Sequence, residues 1–171
     1  MDFDTRVNRI STLIAAAGGR IETRKKLHKL AFLCQSAGDD LSQDFDFDLY
    51  EVTSPSLSAD VEKALSVGSL SLGKEDDVLL LEVSREFKPD TDLLKRAGYS
   101  LVNELKDRSL PMLEVLSTIV YLNSVGYAGN LLGTKLLELK GQHKQALEEA
   151  VDLAKRYFGI ECQLPAVSAG R

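Results

Sequence analysis

Cysteine is scarce in this chain: among 171 residues there are Cys34 and Cys162 alone. That excludes a disulfide-rich secreted framework, and two unpaired thiols suit a reducing compartment. Neither has a Cys-x-x-Cys partner. His28 lies about 120° around a helix from Cys34, so the two do not share a metal from that helix. The other histidine, His143, stands two residues after Gly141 and reads as a solvated loop residue. Four prolines and twelve glycines without a period exclude collagen and low-complexity chains. Long apolar runs are missing too. The most apolar stretch, Leu110 to Val125, is broken by Glu114, Ser117, Asn123 and Ser124, too short and too polar for a bilayer. Met1-Asp2-Phe3-Asp4-Thr5-Arg6 has acids where a signal peptide has bases and then an apolar stretch. The expectation is a cytoplasmic, soluble protein.

Recognisable chemistry is equally thin. Gly18-Gly19 is a helix stop, and Gly126-Tyr127-Ala128-Gly129 lacks the Lys-Ser/Thr of a phosphate loop. Asp39, Asp40, Asp44, Asp46 and Asp48 do not sit in a twelve-residue calcium loop with its central glycine and closing glutamate. Ser54, Ser56 and Ser58 fall at a helix start, where capping accounts for them, and neither histidine is expected to activate them. No catalytic residue, metal or cofactor is expected. The chain reads as a non-enzyme.

What is present is an ordinary globular composition, 44% hydrophobic and 27% charged, with 26 acids against 21 bases for a net charge of −5. A chain of this length buries roughly 70% of its unfolded surface, so its core needs no metal or disulfide. The charge is unevenly placed. Residues 1–38 carry seven bases against three acids, residues 39–92 fifteen acids against four bases, and residues 93–171 ten bases against eight acids. A basic first segment therefore meets a strongly acidic middle.

Periodicity supplies the elements. Val7, Ile10, Leu13 and Ile14 mark one helix face between Asp4, a possible cap, and Gly18-Gly19. Thr23 can cap a second helix to about Ala37, with Leu27, Leu30, Ala31 and Cys34 inward and Arg24, Lys25, His28 and Lys29 on the opposite side. Asp44 to Tyr50 alternates strictly and reads as a strand, Phe45, Phe47 and Leu49 against Asp44, Asp46 and Asp48. Phe32 and Tyr50 read as core. Ser54-Pro55 opens a third helix to Gly68. Leu70 and Leu72 suggest a short strand, residues 73–77 a turn, and residues 78–83 a buried strand. After Pro89 everything is helical: one helix from Asp90 or Thr91 through Leu105, an apolar one from Pro111, then Asn130–Lys140 and Lys144–Phe158. The order helix, helix, strand, helix, hairpin is that of a winged-helix-like unit. The predicted fold is mainly α within an α+β class. It comprises a winged-helix-like N-terminal half with a small β-hairpin over residues 1–88, a helical bundle over 89–160 packed on it, and a tail over 161–171.

The string Arg24-Lys25-Lys26-Leu27-His28-Lys29-Leu30-Ala31-Phe32-Leu33-Cys34-Gln35, with Phe45-x-Phe47-x-Leu49-Tyr50 and Ser54-Pro55-x-Leu57-x-x-Asp60, resembles the YwgA-type proteins and the related DUF4065 (Panacea) domain of bacteria and archaea. Lys26 to Leu33 fits that family's first block. Tyr50 to Ser56 departs from its Tyr-Gly-Pro turn, since Glu51-Val52 replace Gly-Pro and the proline moves to position 55. The resemblance spans about residues 5–85. It implies a small winged-helix-like domain and, from the Panacea branch, an antitoxin-like role in neutralising partner proteins; it implies no catalysis.

A winged helix usually reads DNA with its third helix and touches the backbone with its wing. Here the third helix carries Asp60 and Glu62 against Lys63, and the wing Glu75, Asp76, Asp77 and Glu82 against Lys74. DNA affinity rests on phosphate neutralisation, so DNA binding by that face is disfavoured. The first reading is a regulatory or antitoxin-like protein-interaction module whose Asp44, Asp46, Asp48, Asp60 and Glu62 meet a basic protein partner. The alternative is a winged-helix-type DNA-binding transcription regulator using Arg20, Arg24, Lys25 and Lys29 on phosphates. A homodimer through the apolar helix 111–125 is a separate expectation.

Overall fold

The computed structural model describes residues 1–166. Two compact units divide the chain, one formed by Met1–Asp48 and Val52–Arg108, the other by Leu49–Glu51 and Ser109–Arg171. The fold is mainly helical, with two small antiparallel sheets.

In the first unit, α1 (Phe3–Ala16) is capped two residues before the expected position: the Asp2 carboxylate accepts from the Thr5 N–H at 2.9 Å. Val7, Ile10, Leu13 and Ile14 are buried, as their spacing requires. Gly18 and Gly19, at φ 92° and 91°, turn the chain from helix into β1 (Arg20–Glu22). That strand is absent from the sequence reading because three residues are too few to display an alternation. Next, α2 (Arg24–Ser36) is capped by Thr23, and β2 (Asp46–Asp48) and β3 (Glu51–Thr53) form a two-stranded sheet. The helix α3 (Pro55–Ser66) is capped by Ser54 with Pro55 in its first turn. The hairpin of β4 (Leu70–Glu75) and β5 (Val78–Val83) follows. β1 closes on β5, Ile21 opposite Leu81, while Leu72 of β4 faces Leu81 from the other side. The three-stranded sheet has the order β1–β5–β4. The unit's core is built from Leu13, Leu27, Leu30, Leu57, Val61 and Leu81, all at most 1% exposed.

The expected helix from Asp90 to Leu105 is two helices. Asp90 caps α4 (Thr91–Leu94), the backbone turns extended at Arg96, and α5 (Ala97–Leu105) begins anew. The reason is tertiary: the Asp39 carboxylate, far away in sequence, accepts from the Gly98 N–H at 2.6 Å and takes the place of a local cap. α5 packs on α2 and buries Tyr99, Leu101, Val102 and Leu105. It thereby carries the first unit's boundary past residue 88 to Arg108.

In the second unit, Ser109 caps α6 (Leu110–Ser124), followed by α7 (Gly129–Lys140), a single 3-10 turn at Gly141–His143 and α8 (Lys144–Phe158). α6 packs on α7 and α8. Met112, Leu113, Val115, Leu116, Ile119, Val120 and Leu122 are buried within the monomer. The helix therefore has its cover already, and the reason for expecting a dimer through it is gone. The first residues of the expected tail are also docked. The Gly129 N–H donates to the Glu161 carbonyl, the Gln163 N–H donates to that of Gly129, and Cys162 is buried. Residues 167–171 of that tail lie outside the described residues. Among the described residues no helix is long and apolar enough to cross a membrane.

Gly133 shows how tightly that segment sits: a Cβ there would fall 1.8 Å from the Gln163 carbonyl oxygen. Gly133→Ala is expected to lift residues 160–164 off α7 and expose Cys162, whose thiol burial holds above its ordinary pKa. Labelling by a thiol reagent should then speed up at Cys162 and not at Cys34, which is fully buried elsewhere. Unchanged labelling would mean that the helix shifts instead of the segment.

Candidate interaction site

The acidic middle folds as the β2–β3 hairpin on a clamped base. Gln35 is the first clamp: its side-chain oxygen accepts from the Leu41 and Gln43 N–H groups, and its amide donates to the Gln43 carbonyl. Gln43 donates to Asp60 Oδ2 at 2.8 Å and accepts from Ser56 Oγ at 2.7 Å. Arg6 closes the network with a bidentate pair to Asp60, at 2.8 and 3.1 Å. On the returning side, Lys29 Nζ donates to the Val52 carbonyl at 2.7 Å. Phe45 meets Phe32 edge to face, ring centroids 5.3 Å apart. Phe45 and Phe47 are half-buried while Asp44, Asp46 and Asp48 face solvent, so the alternation is real. Only Asp46–Asp48 pair as a strand, because the chain reverses immediately afterwards.

That reversal is the unusual feature. Leu49 and Tyr50 form a two-residue turn with φ 46° and 68°. Such turns favour Asn-Gly or Asp-Gly, since positive φ costs other L-residues about 1–2 kcal/mol each. The β4–β5 turn of the same protein, Asp76-Asp77 at φ 47° and 66°, uses a residue type that tolerates it. At the acidic hairpin two large apolar side chains occupy these positions instead, and they project outward, Leu49 83% and Tyr50 67% exposed. Tyr50 is thus not core. The sequence signal for the turn is slight: the alternation simply ends at Tyr50-Glu51.

Several expected site residues have other duties. Asp60, 4% exposed, is held by Arg6 and Gln43 and does not face a partner. Lys29, 1% exposed, is spent on Val52 and does not face phosphate. Both corrections have one cause: the polar side of α2 and the start of α3 are covered by the hairpin base, which periodicity within a helix does not register. Glu62 is exposed and pairs with Arg24, while Arg20 pairs with Glu75 at 2.7 Å. Lys25 is exposed at the start of α2. The structure thus gathers Asp44, Asp46 and Asp48 on one hairpin and disperses the four bases.

The histidines are also better placed than the sequence suggested. His28 Nδ1 accepts from the Ser54 N–H at 3.0 Å, and Nε2 lies 3.2 Å from Ser58 Oγ. With Nδ1 accepting, the neutral ring carries its proton on Nε2 and donates to Ser58, whose own hydroxyl donates to the Ser54 carbonyl. A ring in that tautomer braces the start of α3 and does not take a proton from Ser58. In the second unit His143 is no free loop residue: Nε2 lies 3.3 Å from Glu114 Oε2, with Lys140 Nζ 3.9 Å from the same oxygen. Among the described residues no group of His, Cys, Asp and Glu is placed to hold a metal.

Burial opposes ionisation of Asp60, yet hydrogen bonds from Arg6 and Gln43 and the Arg6 charge outweigh it and hold its carboxyl below the ordinary aspartate value. A depressed carboxylate stabilises the fold above its unfolded pKa and loses that contribution as pH falls through the folded value. Stability is therefore expected to decline as pH drops below about 4, and Asp60→Asn should flatten that acid limb in urea titrations. An unaltered limb would place the acid sensitivity elsewhere.

Comparison with family models, with curated proteins and with solved structures finds no match for this chain.

Proposed function

We propose that this chain is a non-enzymatic protein-interaction module, regulatory or antitoxin-like, which presents the β2–β3 hairpin to a partner protein. One observation carries the reading: a turn with two exposed apolar residues at positive φ, flanked by Asp44, Asp46, Asp48 and Glu51, stands on a rigid hydrogen-bonded base. Strain of this kind persists where the surrounding structure holds it, and it concentrates at sites of recognition. The resemblance to the Panacea domain is compatible with it. The regulator reading is weaker, because Lys29 is buried and Arg20 and Arg24 are paired to carboxylates.

Affinity capture followed by mass spectrometry tests the proposal with two variants, Leu49→Asn/Tyr50→Gly and Asp46→Lys/Asp48→Lys. A partner retained by the wild type and lost by both is the expected result. Equal recovery by all three sinks the hairpin as the contact. Salt-sensitive duplex binding in fluorescence anisotropy, abolished by Lys25→Glu, would favour the regulator instead.

A further inference from the structure

We propose that the open edge of β4 is a second contact surface, separate from the β2–β3 hairpin, and that it takes an extended basic segment of a partner protein as an added antiparallel strand. The first ground is the backbone. β5 lies between β1 and β4, so β4 is paired on one side only. The register fixes which groups point the other way. The Ser84 N–H donates to the Ser69 carbonyl, and antiparallel bonding alternates along a strand. Ser71, Gly73 and Glu75 therefore bond to β5, while Leu72 and Lys74 direct N–H and C=O outward. The far side of β5 agrees in phase, since the Val83 N–H donates to the Gly19 carbonyl beside β1. Among the described residues no hydrogen bond reaches the outward groups of Leu72 and Lys74, and residues 71–75 are exposed or half-buried. Donors and acceptors at that spacing are matched by another extended backbone.

The second ground is what the side chains on this edge would meet. A Cβ at Gly73 would fall 2.9 Å from Glu82 Oε2, so the Glu82 side chain has crossed from β5 to lie over β4. Arg20, opposite Glu82 in register, is taken by Glu75 at 2.7 Å, and Lys74, the single base of β4, by Asp77 at 2.7 Å. A strand added at the edge runs about 4.8 Å away. Its residue opposite Gly73 stands on the Glu82 face, with no glycine side chain between them, and a Lys or Arg there reaches the carboxylate. The residues before and after it turn to the other face, which carries Leu72, 53% exposed, and Leu79, 39% exposed. Apolar side chains cover those. The edge thus selects a strand reading apolar, basic, apolar. Glu75, Asp76, Asp77 and Glu82 against Lys74 draw such a segment in and repel an acidic one. A second copy of this chain would set the same acidic excess against itself.

The test titrates the full-length chain into a labelled peptide of about eight residues, valine and lysine alternating, at about 0.15 M salt. One sibling carries glutamate for lysine. Two others are N-methylated, one at every valine amide and one at every lysine amide. With lysine opposite Gly73 in an antiparallel pair, the valine N–H groups face β4. The Val/Lys peptide and its lysine-methylated form are expected to bind, the valine-methylated form about tenfold more weakly or worse, and the Val/Glu peptide not at all. Hydrogen exchange locates the contact. The peptide should slow exchange at the Leu72 and Lys74 amides and leave Gly73, already bonded within the β4–β5 ladder, unchanged. Leu72→Pro removes an outward N–H without touching that ladder and should weaken binding about tenfold, and Glu82→Gln about threefold. Leu49→Asn/Tyr50→Gly should bind the peptide like the wild type, which separates this edge from the β2–β3 hairpin. The proposal is overturned if the wild type does not bind, if Val/Glu binds alike, if valine methylation or Leu72→Pro has no effect, or if protection falls elsewhere. It is overturned as well if the free chain doubles in mass with Leu72 and Lys74 already protected, since a second copy then holds the edge.

Discussion

Leu49→Asn/Tyr50→Gly is expected to make the protein more stable while it abolishes recognition. Both native residues hold positive φ, where a non-glycine L-residue costs about 1–2 kcal/mol. Asparagine lowers that cost and glycine removes it. Little is lost in return, because the two side chains are mostly exposed and contribute little burial. The gain should be about 2 kcal/mol, seen as a raised urea midpoint at unchanged slope. For a chain of this size that is roughly 4–8 °C in melting temperature. A more stable protein that no longer captures its partner would mark the turn as selected for contact at a cost in stability. A lowered midpoint would mean that Leu49 and Tyr50 hold the fold together.

Gly98→Ala is expected to be the most damaging single substitution in the first unit. A Cβ at position 98 would lie 2.5 Å from the Cys34 carbonyl oxygen, 2.8 Å from Asp39 Oδ2 and 2.9 Å from Cys34 Sγ. The first of these is backbone and the second is the carboxylate that caps α5. Neither yields without moving α5 away from α2. Overpacking of this kind costs about 3 kcal/mol or more, and the lost charge-assisted cap adds to it. Cys34 reports the event. Burial, with the Asp39 charge beside it, pushes its thiol far above the ordinary value and keeps it unreactive. In Gly98→Ala its labelling should accelerate together with a fall in the urea midpoint. A stable variant with a protected Cys34 would show that α5 can slide to make room.

Local patterns were enough for most elements. Pro55, Pro111 and the runs of apolar residues at helical spacing located α3, α6 and α8, and Thr23 and Ser54 cap where expected. These features act within a few residues along the chain. The exceptions all depend on distant partners. β1 exists because β5 is there to pair with it; α4 and α5 are separate because Asp39 reaches Gly98. Residues 161–163 are held because the Gly129 backbone bonds to Glu161 and Gln163 and because Gly133 leaves room for the segment.

The candidate site divides in the same way. That the middle of the chain is acidic, and that Asp44, Asp46 and Asp48 lie on a wet face, followed from composition and alternation alone. Asp60 and Lys29 looked equally available in the sequence, since a charged residue on a helix is usually solvated. They are buried because Gln43, Arg6 and the Val52 carbonyl offer hydrogen bonds that offset desolvation. Tyr50 looked like core for the mirror reason: a large aromatic side chain is usually inside. Class of fold, positions of helices and sign of the surface were determined by the sequence itself, because they depend on spacing and charge. Which acids face water, and that the apolar pair at the turn does too, was decided by tertiary structure, because exposure depends on what other segments cover.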